Sequence, residues 1–198
     1  MESRNIPRNG IDYVTSSIGD ERMDVQEVRS LILEVRQQLP RPLWANAPQI
    51  IDKDLLHVQL AYVPNGRLID LGGGYSPISA VLARLGMEVT TVDTFASTKF
   101  YEQFSAQQLC DVLESYGVRL VKADLREYDP ASAFELASVD TVSCFGTVYY
   151  FNPRQLFDRC MRVLKPGGNL IVECTNAVSL LRRVRVLLGR STKAIVGD

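Results

Sequence analysis

Histidine is nearly absent: His57 is the single one in 198 residues. Cysteine is sparse, and Cys110, Cys144, Cys160 and Cys174 are scattered with no C-x-x-C pair. Such spacing speaks against a disulfide framework or a metal site. The four read as reduced thiols of a cytoplasmic protein, with Cys144 and Cys174 expected in the core. No window reaches the roughly 18 consecutive apolar residues of a membrane span. The opening "MESRNIPRNGIDYVTSSIGD" lacks the apolar run of a secretory signal. An excess of one charge is also missing. The formal net charge is -1, so no overall basic field draws the chain to nucleic acid, and no nucleic-acid partner is expected. Neither an internal repeat nor a low-complexity tract is found.

What is present is an ordinary globular balance, 46% hydrophobic and 23% charged residues. The length suits one α/β domain with a sizeable core. Residues 1–22 are polar and read as a lead-in. Residues 23–39 place Val25, Val28, Ile32, Val35 and Leu39 at helical spacing. "PRPLWANAP" breaks that helix, and a second helix is expected over 49–62. The period then changes. Short apolar runs at 67–71, 88–93, 118–124, 139–145 and 169–175 alternate with helix candidates at 77–85, 98–116 and 153–164, and a weaker one near 131–137. Strand–helix alternation predicts a parallel sheet with crossover helices, and Val, Ile and Leu in the runs suit strands covered on both faces. Ligands of such sheets gather at the carboxyl ends of the strands, near the point where strand order reverses.

The first of those ends is "RLIDLGGGYSPIS", residues 67–79. Glycine permits positive φ and close approach of a ligand. Ser76 and Pro77 suit the start of a helix whose amides face the loop, a site for a carboxylate or another anion. A dinucleotide turn reads G-x-G-x-x-G. Here the run from Gly72 is G-G-G-Y-S-P, so Pro77 stands where the third glycine belongs. Asp70 would gain nothing from a pyrophosphate but would attract an ammonium group. Asp93 ends the second run, where a carboxylate accepts ribose hydroxyls. Asp124 ends the third, where it can accept from an adenine amino group beside Leu125. An amino-acid-bearing nucleoside therefore fits better than a dinucleotide.

With "IDLGGGYS", "TTVDTF", "KADL", "VDTVSCFGTVYYF" and "RVLKPGGNLIVE" in this order, the chain resembles class I S-adenosylmethionine-dependent methyltransferases over about residues 45–176. The resemblance implies a Rossmann-like doubly wound parallel sheet and S-adenosylmethionine as cofactor. By the same resemblance, the loop of Asp70, Gly72, Gly73, Gly74 and Tyr75 holds the methionine end. Asp93 binds the ribose, and Thr94 and Phe95 flank the adenine. Asp124 and Leu125 meet its edge and face. Phe145 and Gly146 pass the sulfonium, and Tyr149 borders the acceptor pocket. The implied organisation is an N-terminal lead-in and helix (1–48), the cofactor-binding domain (49–176) and a basic amphipathic segment (177–198).

Each candidate has a plainer reading. His57 is a general base or a structural histidine. Tyr149 and Tyr150 orient an acceptor or form a pocket wall. Trp44 caps the cofactor or anchors the N-terminal segment. Asp124 reads an adenine or caps a turn. "KPGG" reads as a tight turn without chemistry. In "SLLRRVRVLLGRSTK" (179–193), leucines and Val184 form one face with arginines off it, which fits either packing on the domain or peripheral contact with a membrane surface. The family normally closes its sheet with an antiparallel strand pair. Residues 177–198 are too few for a helix and that hairpin, so the expected fold lacks the last two strands. Its exposed edge predicts a homodimer or aggregation unless the C-terminal segment covers that edge. The expected activity is methyl transfer to a small-molecule or saccharide/lipid-linked acceptor. The alternative is a non-catalytic cofactor-binding or scaffolding subunit.

Overall fold

The computed structural model describes residues 23–39, 48–96 and 104–174. The expectations for 1–22, Trp44, 98–103, Thr175 and 177–198 lie outside these residues. In chain order the elements are α1 (Val25–Gln38), α2 (Pro48–Ala61), β1 (Arg67–Leu71), α3 (Pro77–Arg84), β2 (Glu88–Asp93), α4 (Ala106–Ser115), β3 (Arg119–Lys122), β4 (Val139–Phe145), α5 (Pro153–Val163) and β5 (Leu164–Glu173). Short 3-10 turns occupy Pro130–Ser132 and Val148–Tyr150. The strands form one sheet ordered β3-β2-β1-β4-β5, and every pairing is parallel. Order reverses between β1 and β4, so the crevice rule points to their carboxyl ends.

The sheet separates two apolar cores. One gathers Val28, Ile32 and Val35 of α1, Val58 of α2, Val81 and Leu82 of α3 and Leu109 of α4 against Leu68 and Val89. The other packs Leu156, Cys160 and Val163 of α5 against Ile69, Leu71, Val92 and Val142. Alternation along β1 sends Leu68 to the first core and Ile69 and Leu71 to the second. Asp70 therefore shares the face of Leu68, the face that α3 covers. Helix starts follow local chemistry. Ser76 accepts from the Ile78 amide at 3.2 Å ahead of Pro77, and Ser105 with Gln108 forms a capping box.

Four local expectations are corrected. The third strand stops at Lys122, because Asp124 turns the chain by accepting the Glu127 and Tyr128 amides at its carbonyl. The weak helix near 131–137 is only the Pro130–Ser132 turn, capped by Asp129. "KPGG" does not precede the last strand but interrupts it. Val139 pairs with Leu164 and Thr141 with Asn169. Residues 165–168 thus bulge around Asp140, which accepts from Lys165 Nζ at 2.7 Å and from the Arg67 amide at 2.8 Å. Cys144 and Cys160 are buried, and burial pushes their thiols up to about 11 and about 12. Cys174, expected in the core, is exposed just past the end of β5.

Candidate functional site

At the end of β1 the chain must leave the sheet and enter α3 within a few residues. The Gly72 amide donates to the Val92 carbonyl at 2.7 Å, and Gly72 takes φ +68°. A Cβ at Gly72 would lie 2.5 Å from Thr147 Oγ1, and one at Gly73 would lie 2.0 Å from Asp70 Oδ2. Both positions therefore require glycine on steric grounds. Asp70 sits beneath the loop, 1% exposed. Its Oδ2 accepts from the Ser79 hydroxyl at 2.7 Å and its Oδ1 from the Ser143 hydroxyl at 2.8 Å. Burial raises its pKa, while the two hydroxyls oppose the shift. The acid thus ties α3 to β4 directly beneath a side-chain-free backbone.

The end of β2 meets the same loop. Asp93 Oδ1 accepts from the Phe95 amide at 2.8 Å. The Tyr75 hydroxyl donates to the Phe95 carbonyl at 2.7 Å, and together these bonds hold Phe95 at φ +52°, a conformation rare for a bulky side chain. The rings of Tyr75 and Phe95 are buried in the first core, 5.7 Å apart, so what this stretch offers a ligand is backbone. Gly74 takes φ +52°, and among the described residues only Asp93 Oδ2, at 3.7 Å, comes within 4 Å of where its Cβ would be. Gly146, at the end of β4 with φ +77°, has no described residue within 4 Å of that position. Among the described residues, two glycines on either side of the strand-order reversal thus face open space, the first of them next to the Asp93 carboxylate, which suits an elongated nucleoside ligand. Thr94 is exposed beside Asp93.

Asp124 lies two residues beyond the end of β3, half-buried. It caps its own turn through the Arg126 amide at 2.9 Å and is gripped by the Arg126 guanidinium, which holds its carboxyl down at about 2. Leu125 packs on the second core. Tyr149 stands half-buried in the 3-10 turn and Tyr150 is exposed.

Beyond Phe145, Thr147 ties the two strand ends together. Its hydroxyl donates to the Leu71 carbonyl at 3.1 Å. His57 comes to this place from α2. Its ring stacks on Phe145 at 4.0 Å with a 12° interplanar angle, and its Nε2 lies 3.4 Å from Glu173 Oε2 at the end of β5. Lys53 Nζ holds the other oxygen of Glu173 at 2.5 Å. Burial lowers the His57 pKa, partly countered by Glu173. His57 Nδ1 is shielded from water and has no hydrogen-bond partner among the described residues, an arrangement that ordinarily costs about 1–3 kcal/mol.

Sequence reasoning found Asp70, the glycines and Asp93, which the structure brings together. It missed Ser79, Ser143 and Thr147, which carry no motif, although Ser143 and Thr147 fall within the quoted fourth-strand stretch. A separate depression of about 510 Å³ lies at the opposite, amino ends of β1 to β3. There Arg67 pairs with Glu88 at 2.8 Å, and Arg119 lies over Phe134 at 4.9 Å. Its arginines are already engaged, and it lies at the wrong end of the strands for the chemistry above. Among the described residues no group of His, Cys, Asp and Glu could hold a metal ion, and no helix is long and apolar enough to cross a membrane.

Comparison with known proteins adds an independent line. The family model described as "Methyltransferase domain" matches residues 69–172, more than half of the chain. Ubiquinone biosynthesis O-methyltransferase of Xanthomonas oryzae pv. oryzae is 29% identical over 140 residues, covering 69% of this chain and 53% of that protein. The protein of the same name from Xylella fastidiosa is also 29% identical, with 51% of its length covered. The chain thus spans about half the length of the curated relatives it matches. Among solved structures, a Pyrococcus horikoshii protein aligns with TM-score 0.52 at 24% identity, over 79% of this chain and 69% of that one. Phosphoethanolamine N-methyltransferase 2 of Haemonchus contortus, solved with S-adenosyl-L-methionine, aligns with TM-score 0.51 at 19% identity, over 91% and 43%. These two likenesses speak to the fold.

Proposed function

The chain belongs to the methyltransferase-domain family, and from that premise we propose that it binds S-adenosylmethionine at the carboxyl ends of β1, β2 and β4 and methylates a small molecule. The observation that carries this reading is the bare-backbone loop of Gly72, Gly73 and Gly74, with Asp70 buried beneath it and Asp93 Oδ2 facing Gly74. S-adenosylmethionine supplies a methyl group already activated on a sulfonium, so the protein's main task is positioning.

In this reading the loop from Asp70 to Tyr75 receives the amino-acid end. Asp70 provides charge from below for the ammonium, and the start of α3 favours the carboxylate. Asp93 keeps Oδ2 for ribose hydroxyls while the Phe95 amide fixes Oδ1. Thr94 and the Phe95 backbone border the adenine, with Asp124 and Leu125 on its far side. An acid held near pKa 2 stays ionised and accepts from an exocyclic amine. Phe145 and Gly146 line the passage to the acceptor, with Tyr149 at its rim. Relatives that are O-methyltransferases of ubiquinone biosynthesis support a small-molecule acceptor.

Calorimetric titration with S-adenosylhomocysteine, with NAD as the comparison, tests the reading. Micromolar binding of the first and none of the second is expected. Binding of NAD, or of neither, rejects it.

A further inference from the structure

In the cofactor reading Gly72 belongs to the loop, while Thr147, whose side chain lies against it, has no task. Thr147 follows two residues after the end of β4. β1 and β4 are hydrogen-bonded neighbours, with Asp70 opposite Ser143. The turns that leave the two strands therefore start side by side, at the point where strand order reverses. Thr147 bridges them. Its hydroxyl donates to the carbonyl of Leu71, the last residue of β1, at 3.1 Å. Its Cβ and methyl group lie over Gly72, 2.8 and 2.9 Å from where a Cβ there would be. One side chain thus bonds the peptide that joins Leu71 to Gly72 and covers the α-carbon of a residue held at φ +68°.

The hydroxyl is fixed from its other side as well. Cys144 Sγ lies 3.3 Å from Thr147 Oγ1. A hydroxyl has a single proton to give. That proton goes to Leu71, so the thiol is the donor in this contact. Burial keeps the thiol protonated, pushing it up to about 11. A chain of two hydrogen bonds therefore runs from the second core through Thr147 to the end of β1.

The same residue begins the acceptor side. Thr147 precedes the Val148–Tyr150 turn, and its carbonyl accepts from the Tyr150 amide at 3.1 Å. A threonine at a helical start ordinarily offers its hydroxyl to the free amides of that helix. Here the side chain makes no such cap. It is turned away from its own turn and toward the neighbouring strand, where it meets the cofactor loop.

We propose that Thr147 is a positioning residue whose hydroxyl clamps the cofactor loop to the turn that carries Tyr149 and Tyr150, so that filling the loop also fixes the acceptor rim. This rests on the cofactor reading above. Methyl transfer needs the sulfonium methyl group and the acceptor nucleophile aligned at near contact. In that reading two different turns hold them. The clamp restricts one turn against the other before either ligand arrives, which lowers the ordering cost of binding. The coupling is reciprocal: an acceptor that settles the turn raises cofactor affinity by the factor by which cofactor raises its own.

Two variants divide the side chain. Thr147→Val keeps the cover over Gly72 and removes the hydroxyl. Thr147→Ser keeps the hydroxyl and removes the methyl group. Amide hydrogen exchange of the full chain, read residue by residue by NMR with and without S-adenosylhomocysteine, needs no acceptor. In wild type the ligand should slow exchange at Gly72 and also at Tyr150, each by at least about fivefold. Thr147→Val should keep the slowing at Gly72 and lose it at Tyr150, and Thr147→Ser should retain both. A threonine that only stabilised the fold would behave differently. Its replacement by valine would speed exchange with and without ligand alike and leave the ligand's effect at Tyr150 in place. That result overturns the clamp, as does a wild-type Tyr150 amide that ignores the ligand. Loss of the slowing at both sites in Thr147→Val reduces the residue to a loop anchor and overturns it too. If the valine variant does not fold, the serine variant decides, because loss of the Tyr150 effect with the hydroxyl present contradicts the proposal and its retention supports it. Wild type that fails to bind S-adenosylhomocysteine overturns the cofactor reading, and the clamp with it, so the two failures are told apart.

Discussion

At the scale of single residues, the site is decided by what lies against the glycines. Gly73→Ala would force a methyl group into Asp70 Oδ2, which cannot retreat because Ser79 and Ser143 hold the carboxylate. We expect a loss of about 1–3 kcal/mol in urea denaturation, together with loss of S-adenosylhomocysteine binding by calorimetry. Asp70→Asn separates stability from function. The folded pKa of Asp70 is raised. Its contribution to stability is therefore fully present below the unfolded value of 3.8 and declines as pH rises through the folded one. The amide should melt higher than wild type at pH 7, with the difference closing toward about pH 3, yet bind S-adenosylhomocysteine about tenfold more weakly. Equal melting at both pH values, or unchanged affinity, would contradict this account. The acids and glycines were legible in the sequence because their chemistry is local. Ser79 and Ser143 were not, since they meet Asp70 from another helix and another strand, 9 and 73 positions away.

At the scale of elements, the placement of α2 matters most, since it carries His57 and Lys53 to the strand ends. Helical spacing foretold α1 and α2 but not what joins them. Arg36 and Asp54 form a buried ion pair at 2.5 Å, with side chains 3% and 8% exposed. Two polar residues in otherwise ordinary helices give no sign of burial until the helices pack, so the sequence could not announce the pair. Removing one partner strands the other charge away from water. Arg36→Ala should lower the unfolding free energy by about 3–5 kcal/mol in urea titration. Arg36→Met with Asp54→Leu should recover most of it. If the single variant costs no more than a surface substitution, the pair does not hold α2. The "KPGG" bulge teaches a related lesson. Proline and glycine correctly signalled a break. Only the sheet register reveals that β5 begins before the break, at Leu164, and resumes at Asn169.

At the scale of the whole molecule, the alternating runs of the sequence predicted a parallel doubly wound sheet. The order β3-β2-β1-β4-β5 follows from two βαβ halves diverging from β1. The runs 67–71, 88–93 and 139–145 coincide with β1, β2 and β4, because the central strands are buried on both faces and their Val, Ile and Leu stand out from the surroundings. The outer strands β3 and β5 were placed less well. Both lie half-exposed, and their composition blurs into the adjoining turns. Among the described residues β5 pairs with β4 alone, and Val172 near its end is 38% exposed. An unpaired edge with apolar side chains recruits another strand unless something covers it. The chain shortened to residues 1–176 should therefore self-associate in light scattering at micromolar concentration, and Val172→Lys, which puts a charge on that strand, should reduce the association. A shortened chain that stays monomeric would mean that the edge needs no cover from 177–198 or from a second copy. A full-length chain that also stays monomeric while the shortened one associates would assign the cover to residues 177–198.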